Sequence, residues 1–198
     1  MVCLPSDSLQ ACKITYAFRR GFAPPHRLPA IGDCQLSFSD QPASDELWME
    51  EALRSAQRAL EAGEVPVGAV VVYQGRIVGR GANRNIEDND PTAHAEMIAL
   101  REAGTNLGNH RLVDCELFAT IEPCAMCAGA LIHARVRRLV YGADDRKAGA
   151  VHSLLAVINH PGANHHMEVR GGVLAGRSAE ILQEFFRNRR LDACSRGS

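Results

Sequence analysis

Two short segments of the chain combine residue types that bind metal ions and transfer protons. In the first, Glu96 follows His94 by two residues; in the second, Cys124 and Cys127 follow Pro123 and lie three apart. Residues three apart share one face of a helix, so both thiolates can reach one ion. A helix N-terminus also stabilises thiolates through its dipole and its free N–H groups. With His94 as the third ligand, the pattern predicts a zinc ion with an open fourth position, which is the catalytic arrangement.

The position of Glu96 predicts a proton-transfer residue that does not bind the metal. Zinc lowers the pKa of a bound water molecule to about 7, which provides a nucleophile at neutral pH. A carboxylate beside that water can accept its proton and deliver protons to a substrate. The two segments therefore predict a hydrolytic zinc site with Glu96 as its general acid and base.

Two simpler interpretations account for parts of this pattern. Cys124 and Cys127 alone fit a thioredoxin-like redox pair, but nothing else in the sequence suggests a redox partner. A structural zinc site needs a fourth Cys or His, and the nearest spare thiol, Cys115, falls at the start of a predicted strand. The pattern as a whole favours the catalytic interpretation, because the ligands, the carboxylate and the predicted helix starts agree.

The elements that position these segments are predicted from hydrophobic periodicity. The first helix begins with Ser44 as its N-cap and ends at Gly63, and its apolar face consists of Leu47, Trp48, Leu53, Ala56 and Leu60. Later helices are predicted over 93–102, which Gly104 stops, and over 123–133, 153–158 and 179–190. Strands are predicted over 65–73, 76–80, 116–121, 138–141 (closed by Gly142) and 167–170. Alternating strands and helices indicate an α/β fold with one central sheet of about five strands.

Composition fits a single soluble domain. Of the 198 residues, 46% are hydrophobic and 23% are charged, which excludes a disordered chain, and no apolar run approaches the roughly 20 residues that span a membrane. Seven cysteines without the spacing of a disulfide framework indicate a reducing compartment, and we expect a cytoplasmic protein. The net charge of −1 gives no global signature of nucleic-acid binding. Basic clusters in 135–147 and 170–196 fit either a local site for an anionic ligand or an ordinary solvated surface.

The predicted domain covers residues 45–191, between an N-terminal extension over 1–44 and a short C-terminal tail over 192–198. The extension holds five of the nine prolines and three of the seven cysteines, and shows no sustained helix or strand period. A flexible segment, a start codon placed too far upstream, or an organelle transit peptide would each fit that composition.

Several runs of the sequence resemble the bacterial tRNA-specific adenosine deaminases. These runs are 90–96 and 122–130, which contain the predicted zinc ligands, together with 64–70 and 159–162. The zinc motifs are shared by the wider cytidine deaminase superfamily. The run 90–96, which contains Thr92, and the terminal run 185–190 are more particular to the tRNA enzymes. The likeness covers about residues 45–190.

The resemblance implies a cytidine deaminase-like three-layer α/β/α fold around a mixed sheet. It implies one zinc ion per subunit on His94, Cys124 and Cys127, and conversion of the wobble adenosine of a tRNA anticodon to inosine with Glu96 as the catalytic residue. It also implies a homodimer whose two chains hold the anticodon loop. The substrate-binding residues that it assigns are Asn83 at the target base, Asp145 and Lys147 at the RNA entrance, and Phe185, Phe186, Arg187, Arg189 and Arg190 on the terminal helix. We expect at least one of the two phenylalanines to pack in the core.

Two alternatives to this function remain at the level of sequence. A deaminase of free nucleobases or nucleosides would use the same zinc site, although free-cytidine enzymes usually carry Cys where this chain has His94. A non-catalytic RNA-binding module with structural zinc would have no use for Glu96.

Overall fold

The computed structural model describes residues 41–196, with side chains described over 44–192. Most of the predicted extension over 1–44, and residues 197–198 of the predicted tail, lie outside this range. The elements are α1 (Gln41–Glu61), β1 (Gly68–Tyr73), β2 (Arg76–Ala82), α2 (Ala95–Leu107), β3 (Glu116–Ile121), α3 (Ala125–Ala134), β4 (Arg138–Ala143), β5 (Glu168–Arg170) and α4 (Ala175–Arg196). Within residues 41–196, no helix combines the length and apolar character that a bilayer crossing requires.

The five strands form one mixed sheet in the order β2-β1-β3-β4-β5. Strand β1 is antiparallel to β2 and β3, whereas β3, β4 and β5 are parallel. The predicted mixed sheet of about five strands is therefore confirmed. This topology brings the end of β2, the start of β1 and the ends of β3 and β4 to the same edge. The segments that follow β2, β3 and β4 consequently emerge side by side.

Buried side chains cover both faces of the sheet, as expected for the three-layer fold. On one face, Val71 and Leu117 belong to a cluster that includes Ala99 of α2 and Leu131 of α3. On the other face, the remaining strand residues pack with α1 and with the segment that leads into α4, in a cluster of Met49, Ala52, Val70, Val72, Phe118, Val140 and Val173. The strands alternate between these clusters because successive side chains of a strand point to opposite faces.

Two glycines of β2 allow α2 to approach the sheet closely. A Cβ at Gly81 would lie 1.8 Å from the carbonyl oxygen of Ala95, and one at Gly79 would lie 2.2 Å from that of Ala99. Any larger residue would push the helix outward. The N-terminus of α2, where His94 is located, is thereby held at the edge of the sheet where β2, β3 and β4 end.

The predicted start of α1 was wrong. The helix already runs from Gln41, so Ser44 lies within it and is not its N-cap. Leu47, which the periodicity placed on the apolar face, is 56% exposed, whereas Met49 is buried against the sheet.

Several other boundaries differ because a glycine has another role than the one predicted. Helix α2 continues past Gly104 and ends at Gly108, whose φ of 62° is the left-handed conformation typical of a helix C-terminus. Gly142 lies inside β4 instead of closing it: a Cβ there would lie 2.4 Å from the hydroxyl of Ser178 in α4, so this glycine is a packing contact.

Further boundaries shift by a few residues. Strand β1 begins at Gly68, three residues after the predicted start, and α4 extends beyond the predicted helix at both ends, which places the start of the predicted tail inside it. The helix predicted over 153–158 does not form, and turns, bends and irregular backbone occupy that segment. Three backbone N–H groups of residues 151–153 donate to the carboxylate of Glu122 instead of to helix carbonyls.

A buried ion-pair network joins α1 to the opposite edge of the sheet, where the parallel strands begin. Asp45, which is fully buried, accepts two hydrogen bonds from Arg138 at 2.6 and 2.8 Å. Arg138 also donates to Glu116 of β3 at 3.0 Å and to Glu168 of β5 at 2.9 Å, and Arg170 donates to Asp45. One guanidinium thus connects a helix and three strands.

We expect Arg138→Ala to lower the free energy of unfolding by about 3–5 kcal/mol, because it leaves the buried carboxylate of Asp45 without its bidentate partner. Urea denaturation followed by circular dichroism measures this. Arg54→Ala is the matched control: Arg54 is 68% exposed in its pair with Glu51, and its loss should cost no more than about 1 kcal/mol. Equal shifts of the two midpoints would contradict the assigned role of the network.

Candidate active site

The three predicted zinc ligands come from the N-termini of two helices. His94 is the N-cap residue of α2 and Cys124 is the N-cap residue of α3, both with extended backbone, and neither side chain caps its own helix. Cys127 lies in the first turn of α3 and is fully buried. Because the side chains of His94 and Cys124 are not used as caps, they are free to converge between the two helices.

The spacing of the ligand atoms fits a tetrahedral zinc ion. The Nδ1 atom of His94 lies 3.6 Å from Sγ of Cys127 and 3.7 Å from Sγ of Cys124. Zn–S bonds of about 2.3 Å and Zn–N bonds of about 2.0–2.1 Å at tetrahedral angles would separate nitrogen and sulfur by about 3.6 Å. Within residues 44–192, no fourth Cys, His, Asp or Glu joins this group. The protein therefore supplies three ligands and leaves one position for water, as in catalytic sites.

The thiols of Cys124 and Cys127 differ in pKa because they are hydrogen-bonded to each other. The hydrogen bond that Cys127 donates to Cys124 lowers the pKa of Cys124 to about 3. The same bond, together with burial, raises the pKa of Cys127. The environment of Cys124 thus favours the thiolate, which is the form that binds metal ions.

Two buried glutamates beside the ligands have opposite environments. Glu96 is 2% exposed, and burial raises the pKa of its carboxyl group above the usual value. Burial also acts to raise the pKa of Glu122, but hydrogen bonds from Ser153 and from backbone N–H groups outweigh it and lower that pKa to about 2. Environments that separate the pKa values of two carboxyl groups assign their roles. Burial thus favours the protonated form of Glu96, whereas the donors around Glu122 favour its ionised form.

The side chain of Asn83 is oriented by the same helix start. Its Oδ1 atom accepts a hydrogen bond from the backbone N–H of Ala95 at 2.8 Å, so it supplies the capping bond that His94 does not make. An asparagine side chain offers both a donor and an acceptor. In the structure the acceptor is already used, and the amide Nδ2 is the group left for a ligand.

A cavity of about 690 Å³ opens above the ligands, within the size range of small-molecule sites. Its lining brings together His94, Cys124 and Glu96 with six of the residues predicted to bind substrate, namely Asn83, Asp145, Lys147, Phe186, Arg187 and Arg190. Sequence reasoning did not single out the rest of the lining, which consists of Val65, Val67, Asn85, Ile121, Glu122, Ala148, Leu182 and Gln183. No local pattern distinguishes these residues from ordinary core or surface positions, except for Glu122, a charged residue directly after a buried strand.

Phe185 and Arg189 belong to α4 but do not line the cavity. Phe185 is buried, which confirms that one of the two phenylalanines packs in the core, whereas Phe186 is 47% exposed. Arg189 donates a hydrogen bond to the carbonyl of Gly63 at 3.0 Å, and its guanidinium lies 5.2 Å from the centre of the Phe185 ring. The hydrogen bond attaches α4 to the connection between α1 and β1, and the ring contact holds the guanidinium against the helix.

Comparison with known proteins agrees with this geometry. Residues 42–143 match the family model of the cytidine and deoxycytidylate deaminase zinc-binding region. The tRNA-specific adenosine deaminase of Haemophilus influenzae is 48% identical over 147 residues, which are 74% of this chain and 85% of that protein. The enzyme of the same name from Agrobacterium fabrum is 49% identical over 145 residues, or 73% and 95% of the two chains.

A solved structure from studies of A-to-I editing by tRNA:A34 deaminases at the wobble position is similar in fold and sequence. It superposes with a TM-score of 0.67 at 48% identity and covers 69% of this chain and 99% of that chain. The resemblance noted from the motifs is thus confirmed over most of the described residues. The chain belongs to the tRNA-specific adenosine deaminases, which contain the zinc-binding region of the cytidine and deoxycytidylate deaminases.

Proposed function

We propose that the chain converts the wobble adenosine of a tRNA anticodon to inosine by hydrolysis of the exocyclic amine. The observation that carries this proposal is the three-ligand group of His94, Cys124 and Cys127 beside the buried carboxylate of Glu96, at the bottom of a cavity with basic residues in its lining. The zinc site supports the reaction type, and the basic lining supports a phosphate-bearing substrate.

Glu96 transfers the protons of the reaction. When bound, zinc supplies a water molecule of lowered pKa. Glu96 takes one proton from that water as its oxygen bonds to the six-position carbon of adenine, and it protonates a ring nitrogen. Glu96 next takes the remaining proton from the newly bonded oxygen and passes it to the amine; the bond between carbon and nitrogen breaks as the carbonyl of inosine forms, and ammonia leaves. Adenosine and water are thereby converted to inosine and ammonia, and Glu96 returns to its starting state.

Asn83 orients the target base in this proposal. With its Oδ1 atom held by the N–H of Ala95, its Nδ2 donates to a nitrogen acceptor on the purine edge. Val65, Val67 and Ile121 line the same cavity and offer apolar surface to the faces of the ring. Bases of an anticodon loop are unpaired, so placing one in the cavity costs less than extracting it from a duplex.

The basic residues of the cavity favour RNA over a free base. Lys147, Arg187 and Arg190 line it together with the aromatic ring of Phe186. Cations of this kind pair with phosphate oxygens, and an aromatic ring offers a stacking surface for a neighbouring base. A free nucleobase has no phosphate and would leave these groups without a partner.

A direct assay separates the two substrates. The zinc-loaded full chain is incubated with an anticodon stem-loop carrying adenosine at the wobble position and, in parallel, with free adenosine, guanine and cytidine, and products are identified by mass spectrometry. We expect inosine in the RNA only. Glu96→Ala should keep its zinc and lose at least about 100-fold in rate, since it removes the proton-transfer group. Inosine formation by that variant at the wild-type rate would contradict the role of Glu96, and turnover of free bases alone would reject the RNA substrate.

The arginines of α4 should separate into two groups. Arg187→Ala and Arg190→Ala should each weaken stem-loop binding and reduce the slope of log affinity against log salt by about 0.7 for each phosphate that no longer pairs with an arginine. Arg189→Ala should instead act through stability, because Arg189 bonds to the carbonyl of Gly63. Arg177→Ala, at a residue paired with Glu50, is the control and should bind RNA like the wild type. Equal salt slopes in all four variants would contradict this division.

The partners that we propose include a second copy of the chain. The neighbouring residues Leu154 and Leu155 are 56% and 47% exposed, and Leu155 lines an open groove with Ile132 and Val157. Exposed apolar patches of this kind mark interaction surfaces. Sedimentation equilibrium should give the mass of a dimer, and a monomer at micromolar concentration would contradict it. A cytoplasmic location remains a prediction from the spacing of the cysteines.

A further inference from the structure

The carboxylate of Glu122 is the centre of a hydrogen-bond cluster that the proposed reaction does not use. The side chain is 1% exposed and stands directly after β3. Its Oε1 atom accepts from the backbone N–H groups of Val151, His152 and Ser153 at 3.0, 2.9 and 3.1 Å. Its Oε2 atom accepts from the N–H of Asp145 at 3.1 Å and from the hydroxyl of Ser153. The donors come from both ends of residues 144–153, which we call the wall segment.

The wall segment fits closely around this carboxylate. A Cβ at Gly149 would lie 2.4 Å from Oε2 of Glu122, so the segment comes as near as its backbone permits. The N–H of Ala150 donates to the carbonyl of Pro123 at 2.8 Å, and Gly149 forms a β-bridge with Cys124. The segment is thus attached to the residues that connect β3 to the metal ligands.

The same segment forms one side of the cavity. Asp145, Lys147 and Ala148 line it. The Oδ1 atom of Asp145 accepts from the backbone N–H groups of Lys147 and Ala148 at 2.9 and 3.2 Å. A continuous path of hydrogen bonds therefore leads from Glu122 through Asp145 to the backbone that carries Lys147.

This cluster requires a carboxylate. Buried N–H groups without an acceptor are costly, and the geometry demands acceptors at both oxygen positions of Glu122. A glutamine has only one acceptor, so its amide would place a donor against the N–H of Asp145 or against the N–H groups of residues 151–153. Metal binding by the neighbouring residues does not explain why a carboxylate is required at position 122, because Glu122 is not part of the ligand group of His94, Cys124 and Cys127.

We propose that Glu122 is a positioning residue for substrate binding: it fixes the wall segment and, through it, holds Asp145 and Lys147 at the cavity. That the substrate is RNA rests on the proposed function, whereas the role of Glu122 in fixing the wall segment does not. Glu122 therefore acts on how RNA binds and leaves the chemical step to Glu96.

The test is Glu122→Gln in the zinc-loaded full chain. We expect one zinc ion per chain, a KM for the anticodon stem-loop raised about tenfold through the removal of charge-assisted hydrogen bonds, and a kcat close to that of the wild type. Hydrogen–deuterium exchange should speed up in residues 144–153 and stay unchanged in α3. Glu116→Gln, the same substitution at the other end of β3, is the matched control and should leave both KM and exchange in 144–153 unchanged.

A second variant perturbs the same contact from the other side. Gly149→Ala leaves the carboxylate in place but pushes the wall segment away from it, and we expect the same rise in KM and the same faster exchange. Wild-type KM and wild-type exchange in both variants would overturn the proposal. Loss of zinc with faster exchange in α3 would also overturn it, because Glu122 would then support the metal ligands. If the wild-type chain leaves RNA unchanged, the proposed function fails, while the exchange measurement still decides the position of the wall segment.

Discussion

The site depends on the close approach of the N-termini of α2 and α3, which follow two different strands of the sheet. His94 and Cys124 each occupy the last non-helical position before a helix, and their ligand atoms lie 3.7 Å apart. That distance is set by the sheet, because β2 leads to α2, β3 leads to α3, and β1 lies between them. Gly81 permits the final approach of α2. The reaction that the chain can perform is thus decided by how closely two helices pack at one edge of the sheet.

The parts of this arrangement that the sequence predicts are those with a local signal. The bounds of β3 are as predicted, because a buried strand between charged and turn residues has no competing pattern. The predicted zinc ligands also rest on a local signal, their spacing at helix starts, and the structure brings the three side chains together. The sequence did not predict the end of α2 or the role of Gly142. A glycine that ends an element and a glycine that allows a neighbouring helix to approach cannot be distinguished by the sequence pattern alone.

The segment after β4 is a stronger case in which the local sequence pattern does not determine the structure. Its hydrophobic pattern predicts a helix over 153–158, yet the N–H groups of residues 151–153 bond to Glu122, 29–31 residues earlier in the chain. A carboxylate from another element outweighs local propensity, as tertiary context commonly does. The arginines of α4 differ for a related reason: the helical period turns Arg187 and Arg190 toward the cavity but Arg189 toward the ring of Phe185. Adjacent residues of one type therefore have different roles that composition does not reveal.

The two buried glutamates of the site show how donors decide the role of a side chain. Glu96 and Glu122 are both almost inaccessible, and burial acts on both carboxyl groups in the same direction. Glu122 is surrounded by donors, which keep it charged and fix its position. Burial outweighs the hydrogen bonds of Glu96, so its pKa rises above the usual value and the protonated form is favoured. A site that must both transfer protons and hold its shape can use one residue type for both tasks, provided that the backbone supplies far more N–H groups to one carboxylate than to the other.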